Sequence, residues 1–127
     1  MNHHFKTHYT LKEARALLPQ VKLWLKEMVE TKNAIASYEA WAEQQLALGC
    51  DIGGNRTCEW LKDMQRFLAL SQKLENKEIQ LKNLERGLID FPSIRDGSEV
   101  FLCWEMGEED ILFWHDIAAG YAGRKDL

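Results

Sequence analysis

His115 and Asp116, adjacent near the C-terminal end, form the pair of residues best suited to chemistry. Imidazole titrates at about pH 6.5 and binds metal ions, and a neighbouring carboxylate can orient the ring or bind the same ion. His115 and Asp116 are therefore the candidate ligands for a divalent metal ion. Adjacent strand residues point to opposite faces, so the pair shares a target only where the strand has ended. The favoured alternative is a structural His115 that donates to a backbone carbonyl.

The segment Gly120-Tyr121-Ala122-Gly123-Arg124 combines flexible backbone with an aromatic ring and a guanidinium. Tyr121 and Arg124 can together hold an anion, although the segment lacks the lysine and the length of a phosphate-binding loop. The alternative for Arg124 is an ion pair with a buried carboxylate such as Asp90, which would fasten the tail to the body. Trp104 completes the candidate ligand-binding residues, as the wall of a pocket or, alternatively, as part of the core.

Two further groups of side chains can bind cations. The first is an acidic segment around Gly107, made of Glu105, Glu108, Glu109 and Asp110. Carboxylates suit a hard cation, but the spacing is not that of a calcium-binding loop, and a solvated acidic turn is the alternative. The second group precedes the first helix and consists of His3, His4 and His8. These histidines either add to a metal site with His115 or form a mobile polar tail.

Charge and cysteine content restrict the partners and the compartment. Residues 87–127 contain three Lys/Arg and nine Asp/Glu, and the whole chain has a net charge of −4. An acidic chain lacks the basic face that nucleic acids require, so we expect no nucleic-acid partner. No apolar run approaches the roughly 18 residues of a membrane span. The three cysteines show no CxxC spacing, which predicts reduced thiols and a cytoplasmic protein.

The first helix has a clear start signal. Thr10 and Glu13 have the spacing of a capping box, in which each side chain accepts from the backbone N–H of the other residue. Apolar residues at steps of three and four then continue to about Leu48. Pro19 is predicted to kink this helix or to divide it into a short helix and a longer one.

A second helix follows a glycine-rich connection at residues 49–55. Asn55 or Thr57 is expected to cap it, and its apolar stripe predicts that it ends near Arg86 and Gly87. At 1.5 Å per residue each helix is roughly 40–48 Å long. A compact chain of this length has a radius of gyration of only about 14 Å. The helices therefore form an extended antiparallel hairpin, packed as a coiled coil.

Several apolar residues of the helices lie partly off the stripes that face each other. They are Trp24, Val29, Trp41, Leu61, Leu68 and Leu70. Because a two-helix hairpin covers only one stripe of each helix, we expect part of this surface to meet another subunit. The protein is therefore predicted to be a homo-oligomer, most simply a dimer.

The pattern changes to strands after Gly87. Residues 99–104 and 111–115 are β-branched and aromatic and are separated by a polar, glycine-containing segment, which predicts a β-hairpin. If Glu105 pairs with Asp110, His115 lies on the same face as Trp104. The fold class is thus α+β, mainly α, in a single domain of residues 1–127. Its helical hairpin spans about residues 10–86, and its β-hairpin and tail span about residues 87–127.

Short motifs at both ends of the chain carry a family resemblance. They are Tyr9-Thr10-Leu11-Lys12-Glu13-Ala14, Leu17-Leu18-Pro19, Leu84–Pro92, Leu102-Cys103-Trp104, Gly107-Glu108, Trp114-His115-Asp116 and Gly120–Arg124. This set resembles a bacterial family named domain of unknown function 2203. The resemblance implies membership of that family and no particular activity. The N-terminal histidines lie outside the motifs.

These observations predict a small cytoplasmic, oligomeric binding protein. It binds a small ligand or a metal ion near the C-terminal hairpin, or a protein partner along the helices. The alternative is a small enzyme that uses His115 with a carboxylate as general acid and base. A concave, partly polar pocket around His115 would favour the enzyme. A buried His115 beside a large apolar helical face would favour the interaction protein.

Overall fold

The computed structural model describes residues 3–127, which fold into two α-helices, a short 3-10 helix (Tyr121–Gly123) and one five-stranded antiparallel sheet. The helices are α1 (Leu11–Ala47) and α2 (Asn55–Asn76). The strands, which neighbour each other in chain order, are β1 (Gln80–Asn83), β2 (Leu88–Arg95), β3 (Ser98–Trp104), β4 (Phe113–Asp116) and β5 (Lys125–Asp126). The predicted α+β class is confirmed, and the predicted β-hairpin is the β3–β4 pair within a larger sheet. Neither helix is long and apolar enough to cross a membrane.

Helix α1 begins as the sequence predicts. The backbone N–H of Glu13 donates to the Thr10 hydroxyl over 3.1 Å, and the N–H of Thr10 donates to the Glu13 carboxylate over 2.9 Å. Pro19 lies inside this helix, and the predicted division into two helices is wrong. Leu18 and Val21 are buried on either side of the proline. Their burial offsets the loss of one backbone hydrogen bond.

Helix α2 is shorter than predicted and ends at Asn76 instead of near Arg86. Glu78 adopts a left-handed backbone conformation, with φ of 57°, and the chain then enters β1. Leu81 and Leu84 pack against the core from β1 and the following turn, although their spacing also fits a helical stripe. A short apolar run fits either a helix or a strand, and here its hydrogen bonding to β2 makes it a strand.

The cap predicted for α2 is also wrong. Gly54 occupies the N-cap position and supplies no side chain, and Asn55 is already the first helical residue. The Thr57 hydroxyl instead donates to the carbonyl of Ile52 and contacts the Tyr38 hydroxyl at 2.9 Å. Thr57 thus joins the connection to α1 and does not cap its own helix.

Contacts between the helices are those of an antiparallel pair. Arg66 of α2 pairs with Glu27 of α1 at 2.8 Å, and nearer the connection Trp60 stacks on Tyr38 with ring centroids 5.4 Å apart. Trp24 and Trp41, which were expected to lie partly off the facing stripes, both have partners within the chain. Trp24 packs against the core, while Trp41 contacts Tyr38 and Arg56.

The sheet has one face against the helices and one face turned away from them. The core between helices and sheet includes Val21 and Leu25 of α1, Phe91 of β2, and Leu102 and Trp104 of β3. Because side chains alternate along a strand, the residues between these point to the opposite face. That face presents Asp90, Phe101, Cys103 and His115.

The β3–β4 register differs from the one expected from pairing Glu105 with Asp110. His115 lies opposite Phe101, and the expected pairing would place it opposite Val100. A slip of one residue moves every side chain of a strand to the other face. His115 therefore lies on the face away from Trp104. The connection is a wide loop in which Ile111 enters the core, so β4 starts later than a tight hairpin would allow.

Candidate metal centre

A cavity of about 220 Å³ opens on the sheet face that is turned away from the helices. Its floor consists of strand residues, and its rim is formed by the segment that follows β4. The lining residues are Lys82, Leu88, Asp90, Phe101, Cys103, His115, Ile117, Ala119, Gly120 and Tyr121. Titratable side chains at the bottom of a largely apolar cavity are the usual composition of a small-molecule or metal site.

His115 is held by contacts at both ring nitrogens. Nδ1 lies 2.9 Å from the backbone carbonyl of Asp116, which can only accept, so Nδ1 carries a proton. Nε2 lies 3.0 Å from Oδ1 of Asp90, and both side chains are 3% exposed. One further proton must lie between Nε2 and the carboxyl group to join two atoms that otherwise both accept. The pair as a whole therefore carries no net charge, so its burial avoids the free-energy cost of an uncompensated charge.

Cys103 completes the cluster from the middle strand. It lies opposite Asp90 in the register, so both side chains point to the cavity face. The ligand atoms of Asp90, Cys103 and His115 all lie within 4.8 Å of one another. Burial raises the pKa of the Cys103 thiol to about 12, and the neighbouring Asp90 carboxylate adds to this effect. The thiol is therefore protonated at neutral pH and is a poor nucleophile in this state.

A thiol, an imidazole and a carboxylate are the donor types that a zinc ion takes in proteins. Three protein ligands with a fourth position facing a cavity correspond to a zinc site with an open coordination position. The bond from Nδ1 of His115 to a backbone carbonyl is the outer contact that fixes a metal-bound histidine and leaves Nε2 for the ion. A bound cation would also displace the thiol proton.

Asp116, paired with His115 in the sequence-based hypothesis, lies outside this cluster. Both residues belong to β4, so their side chains leave opposite faces of the sheet. The Asp116 carboxylate is 60% exposed and lies 3.6 Å from the Lys125 ammonium. Asp116 contributes only its backbone carbonyl, which orients the imidazole.

The other sequence-based candidates divide between the cavity and the core. Tyr121 lines the cavity and donates its hydroxyl proton to Glu105 over 3.2 Å. Trp104 lies in the core on the opposite face, where its indole N–H donates to the carbonyl of Glu108. Arg124 donates to both carboxylate oxygens of Glu108, at 2.7 and 2.8 Å. The predicted ion pair between Arg124 and Asp90 does not form, because the Asp90 carboxylate is bound to His115 and Arg124 pairs with Glu108.

The acidic segment is largely neutralised by arginines within the chain. Glu105 pairs with Arg86, at 2.5 Å, and Glu108 pairs with Arg124. Asp110 pairs with Arg15 of α1, at 3.2 Å. These pairs tie the β3–β4 loop to its surroundings.

The N-terminal histidines do not join His115. His3 and His8 gather with Glu99 of β3 into a separate cluster whose ligand atoms lie within 4.8 Å of one another. The expectation that they add to a metal site with His115 is wrong, because Phe5 packs on Phe101 and the segment lies over the far part of β3.

Asp90 and Cys103 were not among the sequence-based site residues. Asp90 stands in an apolar run between Ile89 and Phe91, and a carboxylate inside a buried strand is costly unless it is paired. That isolated charge is the signal that marks it. Cys103 is also flanked by large apolar residues, but a small buried cysteine is common and gives no such signal.

Fold and site together define a small α+β protein with a buried Asp–Cys–His cluster beneath a surface cavity. The model of the family described as "Uncharacterized conserved protein (DUF2203)" matches residues 7–127. The chain belongs to this family, as its terminal motifs indicated. Neither a curated protein nor a solved structure matches the chain.

Proposed function

We propose that the protein binds a divalent transition-metal ion, preferably zinc, through Asp90, Cys103 and His115. The observation that carries the proposal is the convergence of the three donor atoms, within 4.8 Å of one another, at the floor of the cavity. The three ligands come from three different strands, so the rigid sheet fixes their positions. Sites built on strands hold ligand geometry better than sites built on loops.

The donor set favours zinc over magnesium and calcium. Hard cations prefer oxygen ligands, whereas thiolate and imidazole select zinc and related ions. A dication bound to the Cys103 thiolate and the Asp90 carboxylate also leaves the buried cluster without net charge. This balance matters because an uncompensated buried charge costs several kcal/mol, on the order of the whole stability of a small domain.

The cavity above the cluster indicates the ligand for the open metal position. Lys82 lines one wall, with its ammonium 5.2 Å from the centroid of the Phe101 ring. Tyr121 lies at the rim. A small anion, such as a carboxylate or phosphate group, fits a position between a metal ion and the Lys82 ammonium. We propose that the protein binds such an anion on its metal ion.

The second candidate function is acid–base catalysis by His115 and Asp90 without a metal. It is supported by the proton that the two side chains share and by their position in the cavity. In that function the pair would exchange its proton with a bound substrate. The two functions differ in Cys103, which a metal site requires and proton transfer does not.

We further propose that the protein is cytoplasmic and self-associates along its helices, most simply as a dimer. All three cysteines are free, in keeping with a reducing compartment. Leu61 and Leu68 of α2 are 50% and 63% exposed, seven residues apart on one helix. Such a pair fits an interface between helices of two subunits.

Zinc binding tests the principal function. Calorimetric titration of the metal-free protein should show zinc binding that weakens at least about tenfold in Cys103→Ala and in His115→Ala. Cys50→Ala, which removes an exposed thiol, is the matched control and should bind as the unaltered protein does. Cobalt at the same site should give a thiolate-to-cobalt charge-transfer band that only Cys103→Ala removes. A cobalt complex of the unaltered protein without a thiolate charge-transfer band would contradict the proposal.

A further inference from the structure

Glu99 of β3 is a partly buried residue outside the cavity, and its carboxylate is covered by the N-terminal segment. It points to the same sheet face as Cys103, since both lie at alternate positions of the strand, with Phe101 between them. The side chain of Glu99 is only 6% exposed. A carboxylate so well buried needs a specific set of partners.

Those partners all come from the N-terminal segment. Oε1 accepts from the backbone N–H of His4 at 2.8 Å, and Oε2 accepts from that of Phe5 at 3.0 Å. Nδ1 of His4 lies 3.0 Å from Oε1, and Nε2 of His8 lies 2.7 Å from Oε2. The two backbone bonds fix the carboxylate independently of its histidine contacts. It therefore has the preorganised position of a metal ligand whose outer contacts are already made.

His3 lies close to His8 and Glu99 and brings a further imidazole to this cluster. The rings of His3 and His8 are 5.1 Å apart and nearly perpendicular. The ligand atoms of His3, His8 and Glu99 lie within 4.8 Å of one another, and His4 reaches the other oxygen. Two imidazoles and one carboxylate form a known ligand set for divalent first-row transition metals.

We propose that His3, His8 and Glu99 form a second site for a divalent transition-metal ion, distinct from Asp90, Cys103 and His115. On binding, the ion replaces the proton between Nε2 of His8 and Oε2 of Glu99, and that proton leaves to solvent. His3 is exposed, so water completes the coordination. The ion joins the N-terminal segment to β3, and its exchange with solvent is fast compared with that of a buried site.

A background in which the cavity site is weakened separates the second site from it. Cys103→Ala removes the only sulfur donor of the proposed cavity centre and leaves the N-terminal cluster unchanged. In this background His8→Gln retains an N–H that can donate to Glu99 but offers a poor metal ligand. His4→Ala is the matched control, because it removes an exposed histidine that contacts Glu99 from outside the ligand set. Circular dichroism establishes that each variant is folded.

Calorimetric titration of these variants with zinc alone then tests whether the N-terminal site binds the metal ion. Cys103→Ala should bind zinc, with affinity reduced at least about tenfold by His8→Gln or His3→Ala and changed less than about threefold by His4→Ala. Cobalt bound to Cys103→Ala should lack the thiolate charge-transfer band. If Cys103→Ala binds no zinc, or if His4→Ala weakens binding as much as His8→Gln, the N-terminal site is overturned. If the cobalt complex of the unaltered protein shows no thiolate charge-transfer band, the cavity site is contradicted, and the N-terminal site is not affected.

Discussion

Nε2 of His115 and Oδ1 of Asp90 lie 3.0 Å apart across β3, which separates their strands. Asp90 pairs with Cys103 in the ladder, and His115 pairs with Phe101, so the contact runs diagonally over the middle strand. The register of three strands therefore determines whether the cluster exists. A slip of one residue in either ladder would separate the two side chains.

Removing Asp90 should be among the most destabilising changes in the sheet. Asp90→Ala leaves His115 buried without its partner, and we expect a loss of about 3–5 kcal/mol in the free energy of unfolding. Urea denaturation followed by circular dichroism measures it. Asp116→Ala, on β4, is the control, since its exposed ion pair contributes at most about 1 kcal/mol. Equal effects of the two variants would contradict the buried pair.

The three thiols should react very differently with a thiol reagent. Cys50 and Cys58 are exposed and should be modified quickly at neutral pH. Cys103 is buried and its pKa is raised to about 12, so it should react only when the protein unfolds. Counting modified thiols against time, with and without denaturant, checks this. Fast modification of all three without denaturant would show that the cluster is open to solvent.

Acid should release the N-terminal segment from the sheet. Burial raises the pKa of Glu99, but the hydrogen bonds from His8, His4 and Phe5 outweigh it and lower the pKa to about 2. The bond donated by the backbone N–H of Thr7 lowers the pKa of Glu78 as well. Because both folded-state pKa values are depressed, the stabilisation is complete above their ordinary values and is lost as pH falls toward about 2.

Amide resonances of residues 4–7, followed during an acid titration, report this release directly. Glu99→Gln cannot ionise, so its stability should depend less on pH in the acid range than that of the unaltered protein. Glu109→Gln, at an exposed carboxylate, is the control and should retain the original dependence. If the stability of Glu99→Gln depended on pH in the acid range as that of the unaltered protein does, protonation of Glu99 would not be what releases the segment.

Gly87 should tolerate no side chain. Its φ is +62°, and a Cβ atom would lie 2.8 Å from Cβ of Met106. Gly87→Ala therefore combines backbone strain with a clash in the β1–β2 turn, and we expect a loss of roughly 2 kcal/mol or more. Gly49→Ala is the matched control, because φ is +77° there but no atom lies within 4 Å. Thermal unfolding measures both variants. The loss of stability in Gly49→Ala reports backbone strain alone, and the additional loss in Gly87→Ala reports the clash with Met106.

Self-association is tested by light scattering after size exclusion. The unaltered chain should elute with a mass above the 14.8 kDa of one subunit at micromolar concentration. Replacing both Leu61 and Leu68 by serine should give a monomer with little loss of stability, since both side chains are largely exposed. A monomeric unaltered protein would refute the prediction.

The sequence supported the helices better than the site. The capping box at Thr10 and the strand-like residues 99–104 are local signals, and the structure confirms both. The strand predicted at residues 111–115 is confirmed only in part, since β4 begins at Phe113. The end of α2 was missed because Leu81 and Leu84 have the spacing of a helical stripe, whereas pairing with β2 makes residues 80–83 a strand. Asp90 and Cys103, the two cluster residues that the sequence analysis did not name as site residues, were missed for a different reason. Asp90, Cys103 and His115 meet only through strand register, which no local pattern encodes.

The two carboxylates that hold residues 4–7 have a consequence for the order of folding. Glu78 and Glu99 bind the backbone of the N-terminal segment, whereas the whole helical hairpin lies between that segment and the sheet in the chain. The hairpin is in this sense an insertion into a body made of the two ends of the chain. Closing such a large loop is entropically costly, and contacts this distant in sequence slow folding. A ribosome must therefore complete most of the polypeptide before its beginning can dock, and the helices can form long before either end finds its place.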